Sequence, residues 1–314
     1  MNYSRIVRAI EEMPWAIQPA KLEAIIEMIE LRARGIDDRV AEEIRKPAVE
    51  ASIVAAKSGG AIAVLPIFGT ILQRMNLMSD FSGGTSTEKF TQSFRAALAD
   101  NSVKSILLNV DSPGGSVYGV DELATEIFKA RGQKPIVAVA NSLAASAAYW
   151  LASAADELSV TPSGEVGSIG VFSAHFDESR LIEAMGVKAT LISAGKFKTE
   201  GNPYEPLSEE ARAAIQSRVD EYYGSFVDAV ARNRASTSKR VAGGFGQGRV
   251  VGAAQAIELG MADKVATFDQ VLTRLGAGPV ARTAARSSAE EIDFRRRRLR
   301  ATLGYPAGME ALKG

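Results

Sequence analysis

From Gly60 onward, apolar runs of strand length alternate with amphipathic runs of helix length, and this alternation constrains the fold more than any single residue. The run from Ala61 to Phe68 reads as a strand, followed by a polar, methionine-bearing loop over 71–84. A helix is expected over 86–98, with Thr85 or Ser86 as its cap and Phe90, Phe94, Ala97 and Leu98 on one face. Strands at 103–110, 136–140 and 158–161 then alternate with helices at 118–130 and 147–155. Strand–helix–strand spacing of this kind predicts parallel βαβ units, which place ligands beyond the carboxyl ends of their strands.

Further on, the pattern predicts a short helix at 180–185, a strand at 188–193 and a long amphipathic helix at 208–232 capped by Ser208. A glycine-rich loop at 243–248 precedes helices at 253–260 and 268–275. Residues 1–58 read as a separate helical arm, with Ile25, Ile26, Met28, Ile29 and Leu31 recurring among charges and Pro14-Trp15 as a packing elbow. Its apolar stripe is hard to bury alone, so it is expected to dock or to join subunits. The α/β body is expected over 59–276 and a basic, arginine-rich tail over 277–314.

Composition removes several classes of function. Thirty-seven basic and 37 acidic side chains cancel, so nucleic acid is not expected as the main partner. The arginine run at 295–300 reads as a solvated face or a partner dock. The absence of cysteine excludes disulfides, zinc–thiolate sites and a thiol nucleophile. No run approaches the roughly 20 apolar residues of a membrane span, and the first dozen residues lack the apolar core of a secretory signal. No cofactor motif and no metal site is expected; the phosphate-cradling G-x-x-x-x-G-K-[ST] pattern does not occur.

The chemistry concentrates at Asn141-Ser-Leu-Ala-Ala-Ser-Ala-Ala-Tyr149, where a strand is expected to turn directly into a helix. A hydroxyl at such a junction can attack a carbonyl, and the first N–H groups of the helix have no intrahelical partner. Ser146 is the candidate nucleophile; the plain alternative is a turn of small residues that allows close packing. Asp111-Ser-Pro-Gly-Gly-Ser-Val117 offers a second backbone donor set, or simply a tight βα turn. A serine needs a base. The sole histidine, His175, lies in an apolar run with no acidic orienter and reads as structural. Lys196 and Lys198, in Ala194-Gly-Lys-Phe-Lys-Thr199, are the other route. Lysine is a base near neutral pH only if burial lowers its pKa to about 7–8, at a cost of roughly 4 kcal/mol. Spacing alone does not decide between the two lysines.

Ser-Pro-Gly-Gly, Ala-Ala-Ser-Ala-Ala-Tyr, Gly-Ser-Ile-Gly and Gly-Lys-Phe-Lys, in that order over about 60–267, resemble the signal peptide peptidase A family of serine peptidases. The resemblance implies a ClpP/crotonase-like α/β fold of repeated βαβ units and a Ser-Lys dyad. It implies Ser146 as nucleophile, Lys198 as general base and Ser168 as a hydrogen-bonding partner of that lysine. The oxyanion donors it implies are Gly115 (or Gly114) and Ala147. Ala147 and Ala148 stand where members often carry glycines. A helical arm in place of a membrane anchor resembles the phage and prophage prohead proteases. That branch implies capsid, scaffold or portal-associated protein substrates, a homo-oligomer, and a place in the bacterial host cytoplasm or an assembling head. The alternatives are a cytoplasmic housekeeping peptidase of the same family, an acyl-CoA enzyme of the same fold, and a non-catalytic capsid scaffold.

Overall fold

A computed structural model describes residues 13–22, 52–55, 60–74 and 84–276. The elements in chain order are β1 (Trp15–Ile17), β2 (Ser52–Ala55), β3 (Ala61–Leu72), β4 (Thr85–Ser86), α1 (Thr87–Ala99), β5 (Val103–Ser116), α2 (Val120–Lys129), β6 (Ile136–Ala145) and α3 (Ala147–Ser153). After these come β7 (Glu157–Val160), β8 (Glu165–Gly167), α4 (Ser179–Ala184), α5 (Glu209–Asn233), α6 (Ser238–Gly243), β9 (Val250–Gly252), α7 (Ala253–Glu258), β10 (Lys264–Val265) and α8 (Phe268–Arg274).

Along the order β10-β7-β6-β5-β3-β2 neighbouring strands pair parallel except β2 with β3, and off that order β1 pairs antiparallel with β5 and β9 antiparallel with β8. The parallel α/β class expected from the sequence is therefore present. Its strands alternate between two apolar layers, as a period of two requires. Ile106, Leu108 and Val110 of β5 join the large core with α1, α2, α3 and α5, whereas Leu107 turns to the opposite face beside Val271 and Leu272 of α8. Caps hold the helix ends: Ser86 accepts from Lys89 N–H, Ser208 accepts from Ala211 N–H, and Thr267 with Gln270 forms a capping box.

Three readings change. The segment 188–193 is irregular, with most of its side chains in water, so Leu191 and Ile192 have no apolar layer to hold them as a strand. Residues 14–17 and 52–55 are not helical: Trp15–Ile17 and Ser52–Ala55 are strands that pair with β5 and β3. Sheet edges captured them, which a helical count of the arm does not anticipate. The remaining arm positions, including Ile25 to Leu31, and the arginine-rich tail lie outside the described residues. Strands β5 and β6 also run on further than expected. They absorb Ser-Pro-Gly-Gly and Asn-Ser-Leu-Ala-Ala, which read as turns.

Among the described residues, no helix is long and apolar enough to cross a membrane.

Candidate active site

Strand β6 ends at Ala145 and α3 begins at Ala147, so Ser146 alone makes the turn. It does so at φ 56 and ψ −121, a region L-residues rarely occupy. A serine held on a strained strand-to-helix turn has its hydroxyl thrown clear of both elements. Its N–H donates to the Gly167 carbonyl (2.7 Å), which ties the turn to β8. Its Oγ donates to the Gly170 carbonyl at 3.5 Å, a long and weak bond. Only 1 % of the residue is exposed.

The helix behind this serine is well anchored. Trp150 stacks on Phe226 of α5, with ring centroids 4.4 Å apart and planes within 5°. Tyr149 donates its hydroxyl to the Met261 carbonyl (2.9 Å), and burial pushes its phenol pKa up. Arg131 donates to the Ser153, Ala154 and Ala155 carbonyls at the far end of α3 and to Asn233 at the end of α5. A cation at a helix C-terminus satisfies orphan carbonyls and opposes the dipole. The elbow thus rests on a fixed base.

Glycines bring the end of β5 against the elbow. Gly114 has φ +102, and a Cβ built there would lie 2.9 Å from Ser146 Cβ and 2.2 Å from the Ala16 carbonyl oxygen. A Cβ at Gly115 would lie 1.8 Å from the Ile71 carbonyl oxygen. Only glycine fits at either position. Gly114 N–H donates to Ser112 Oγ (3.2 Å), while Gly115 pairs with Ile71 on one side and Ala16 on the other. Ala147 opens α3, where the first N–H groups lack intrahelical partners. Of the expected oxyanion positions, Gly114 therefore packs on the serine and Ala147 follows it in the chain, while Gly115 is next to Gly114 and both glycines are engaged by the chain itself.

Ser168 sits beside Ser146 across the β6–β8 pair, also at positive φ (54), with its N–H donated to the Arg249 carbonyl (2.7 Å). Lys198 is elsewhere. It is exposed and lines a cavity of about 520 Å³ together with Pro14, Ser173, Tyr204 and Arg218, and Ser146 is not in that wall. The single chain does not bring Lys198 onto the serine hydroxyl, whose bond goes to Gly170. Lys196 is committed to Glu210 (2.6 Å). His175 Nε2 lies 3.1 Å from the Asn202 carbonyl oxygen. Sequence reasoning missed the contribution of β1. Its only signal was the apolar triplet Trp-Ala-Ile between two prolines, Pro14 and Pro19.

A model described as peptidase family S49 matches residues 129–279, which takes in the elbow, β8 and the lysine loop. This part of the chain is similar to peptidase family S49. Relatives of the chain include the head-tail preconnector protein GP5 of Enterobacteria phage P21, 37% identical over 65% of this chain and 40% of its own. The capsid assembly protease C of Escherichia phage lambda is 35% identical over 68% of this chain and 48% of its own. A putative signal peptide peptidase SppA of Enterococcus faecium is 31% identical over 60% of this chain and 55% of its own. The chain thus spans about half or less of the length of the two phage proteins it matches.

Proposed function

We propose that this protein is a serine endopeptidase of phage head assembly, in which Ser146 forms an acyl-enzyme with its peptide substrate. The strained elbow that presents Ser146 between Gly114 and the first turn of α3 carries this reading. In the acylation step the Ser146 oxygen bonds to the scissile carbonyl carbon and its proton passes to the base. The base then returns that proton to the leaving amine. Water hydrolyses the ester by the reverse sequence. Backbone N–H groups at Ala147 and at Gly115 or Gly114 would stabilise the oxyanion once the substrate carbonyl replaces the chain's own partners.

Lys198 is the proposed general base and Ser168 the group that positions it. Lys196 is already paired with Glu210, which leaves Lys198 as the lysine of that loop without this commitment. Glycines at 195 (φ +98) and 201 (φ +71) bracket the loop, and Lys198 has to reach Ser146 in the working assembly. The names of the phage relatives, a head-tail preconnector protein and a capsid assembly protease, support a role in head assembly; the proposal adds capsid, scaffold or portal-associated substrates, a homo-oligomeric enzyme and a place in the host cytoplasm or the assembling head.

The test is labelling by a fluorophosphonate probe, with mass-spectrometric location of the adduct. The adduct is expected on Ser146 and absent from Ser146→Ala. Co-expression with capsid and scaffold proteins from the same phage should yield cleavage products that disappear in that variant. An unlabelled, correctly folded protein that leaves all of those proteins intact overturns the reading.

A further inference from the structure

Strand β1 is three residues long and lies between two backbone rails, beside the elbow. On one side it pairs antiparallel with the end of β5, in the register Trp15–Ser116, Ala16–Gly115 and Ile17–Gly114. Gln18 N–H donates to the Pro113 carbonyl (3.1 Å) and Val117 N–H to the Pro14 carbonyl (3.3 Å). Antiparallel pairs alternate in class, so Ala16 opposite Gly115 falls in the hydrogen-bonded class. On the other side, Trp15 N–H donates to the Phe172 carbonyl (2.8 Å) and Phe172 N–H to the Trp15 carbonyl (3.0 Å). The point where a Gly114 Cβ would fall is 2.2 Å from the Ala16 carbonyl oxygen and 2.9 Å from Ser146 Cβ. A peptide carbonyl therefore already sits next to the candidate nucleophile, in extended chain, flanked by one of the proposed oxyanion glycines.

A peptidase receives extended segments by adding them to an exposed strand, with main-chain bonds for affinity and alternate side-chain pockets for selection. The rails beside Ser146 that could do this are held by Trp15–Ile17. We propose that β1 is a cis-bound occupant of the peptide-binding slot and holds the enzyme latent until a substrate segment displaces it. This rests on the peptidase reading above. Trp15 and Ile17 are buried on one face with Leu22, Leu72 and Phe172, whereas Ala16 turns into the main core by the elbow. A competitor has to refill those apolar positions and offer a small residue at the serine. The substrate class is therefore an extended segment of pattern bulky apolar, small, bulky apolar, without charge over those three positions. The cavity lined by Pro14, Ser173 and Lys198 continues from the Trp15 end of the slot and would receive the next residues on that side.

The test uses the full chain and two readouts. One is the rate of fluorophosphonate labelling at Ser146. The other is anisotropy of a fluorescein-labelled peptide of sequence Met-Pro-Trp-Ala-Ile-Gln. Ala16→Pro removes the N–H that faces Gly115 while keeping a small side chain. It is expected to speed labelling and tighten peptide binding, each at least tenfold. A folded Ala16→Pro protein with unchanged binding and labelling overturns the slot. Tighter peptide binding with no labelling in any form supports the slot and counts against Ser146 as nucleophile. Rapid labelling of both proteins with no peptide binding does the reverse. Should Ala16→Pro not fold, the double variant Trp15→Cys/Phe172→Cys serves instead. The chain has no other cysteine, and facing residues of a hydrogen-bonded antiparallel pair lie within disulfide reach. The oxidised, locked form should label at least tenfold more slowly than the same protein reduced; equal rates overturn the proposal.

Discussion

Ser146 and Ser168 stand side by side at the carboxyl ends of two paired parallel strands, both at positive φ. Strands β6 and β8 pair through Ala145 and Gly167, and each chain turns at the next residue, at φ 56 and φ 54. The Ser146 N–H reaches back to the Gly167 carbonyl, so one turn holds the other. Among the described residues, Ala235 is the other non-glycine at positive φ. Strain of this kind costs of order 1–3 kcal/mol per residue and persists where surrounding structure enforces it. Two such residues at one sheet edge mark the place where the fold trades stability for the direction of two hydroxyls.

This yields a test that separates strain from chemistry. Ser146→Ala and Ser146→Gly should both abolish peptide hydrolysis. Ser146→Gly should nevertheless be more stable than Ser146→Ala by about 1 kcal/mol, because glycine adopts positive φ freely. Chemical denaturation of the two variants measures the difference. Equal stability would mean that the turn is relaxed.

The two lysines should behave differently. Lys198→Ala should reduce kcat/KM by at least a hundredfold, whereas Lys196→Ala, which breaks an exposed ion pair with Glu210, should change stability by less than about 0.5 kcal/mol and leave most activity. A lysine acts as base only when deprotonated, so kcat/KM should rise with pH. A dead Lys196→Ala beside an active Lys198→Ala would exchange their roles.

Gly114 and Gly132 both have positive φ, but their surroundings differ. A Cβ at Gly132 meets nothing within 4 Å, so Gly132→Ala should cost only the backbone strain, about 1 kcal/mol. A Cβ at Gly114 meets Ala16, Ser146 and Ala145, so Gly114→Ala should cost about 3 kcal/mol or more and eliminate labelling of Ser146. Thermal melts compared with probe labelling check both halves.

Acid should loosen the end of the sheet near Asp263. Burial raises the pKa of this carboxyl, but hydrogen bonds from Arg234 and from the Leu158 N–H, with the Arg234 charge, more than reverse it and hold it below the ordinary carboxylate range. A depressed carboxylate contributes stability above its unfolded pKa, about 4, and loses it as pH falls through the folded value. Asp263 keeps 36% of its side chain exposed, so screening keeps the pair modest. Asp263→Asn should cost about 1–2 kcal/mol at pH 7 and flatten the fall in stability below about pH 4, as read from denaturant midpoints across pH.

Much of the body was legible in local sequence. Ile106, Leu108 and Val110 mark a strand by length and composition, and the capped start at Ser86 with Phe90 and Phe94 marks a helix, because each is set by near neighbours along the chain. Ser146 was legible for the same reason: small residues between an apolar strand and an apolar helix leave few other places for a turn. The segment 188–193 misled because Leu191 and Ile192 have strand propensity but no sheet edge beside them. Propensity alone does not supply a partner.

From sequence alone, the α/β class, the order of the long strands and helices from β3 to β7, and the serine at the β6–α3 junction were determined. These depend on hydrophobic period and turn chemistry, which act over a few residues. Tertiary structure alone decided that β5 runs through both glycines, that Ser168 stands next to Ser146, that Lys198 lies in a separate wall, and that Trp15–Ile17 fills the slot at the elbow. Each of these is a pairing between segments far apart in the chain. Such pairings are selected by the sum of backbone hydrogen bonds and buried apolar surface over the whole fold, and no local pattern encodes that sum.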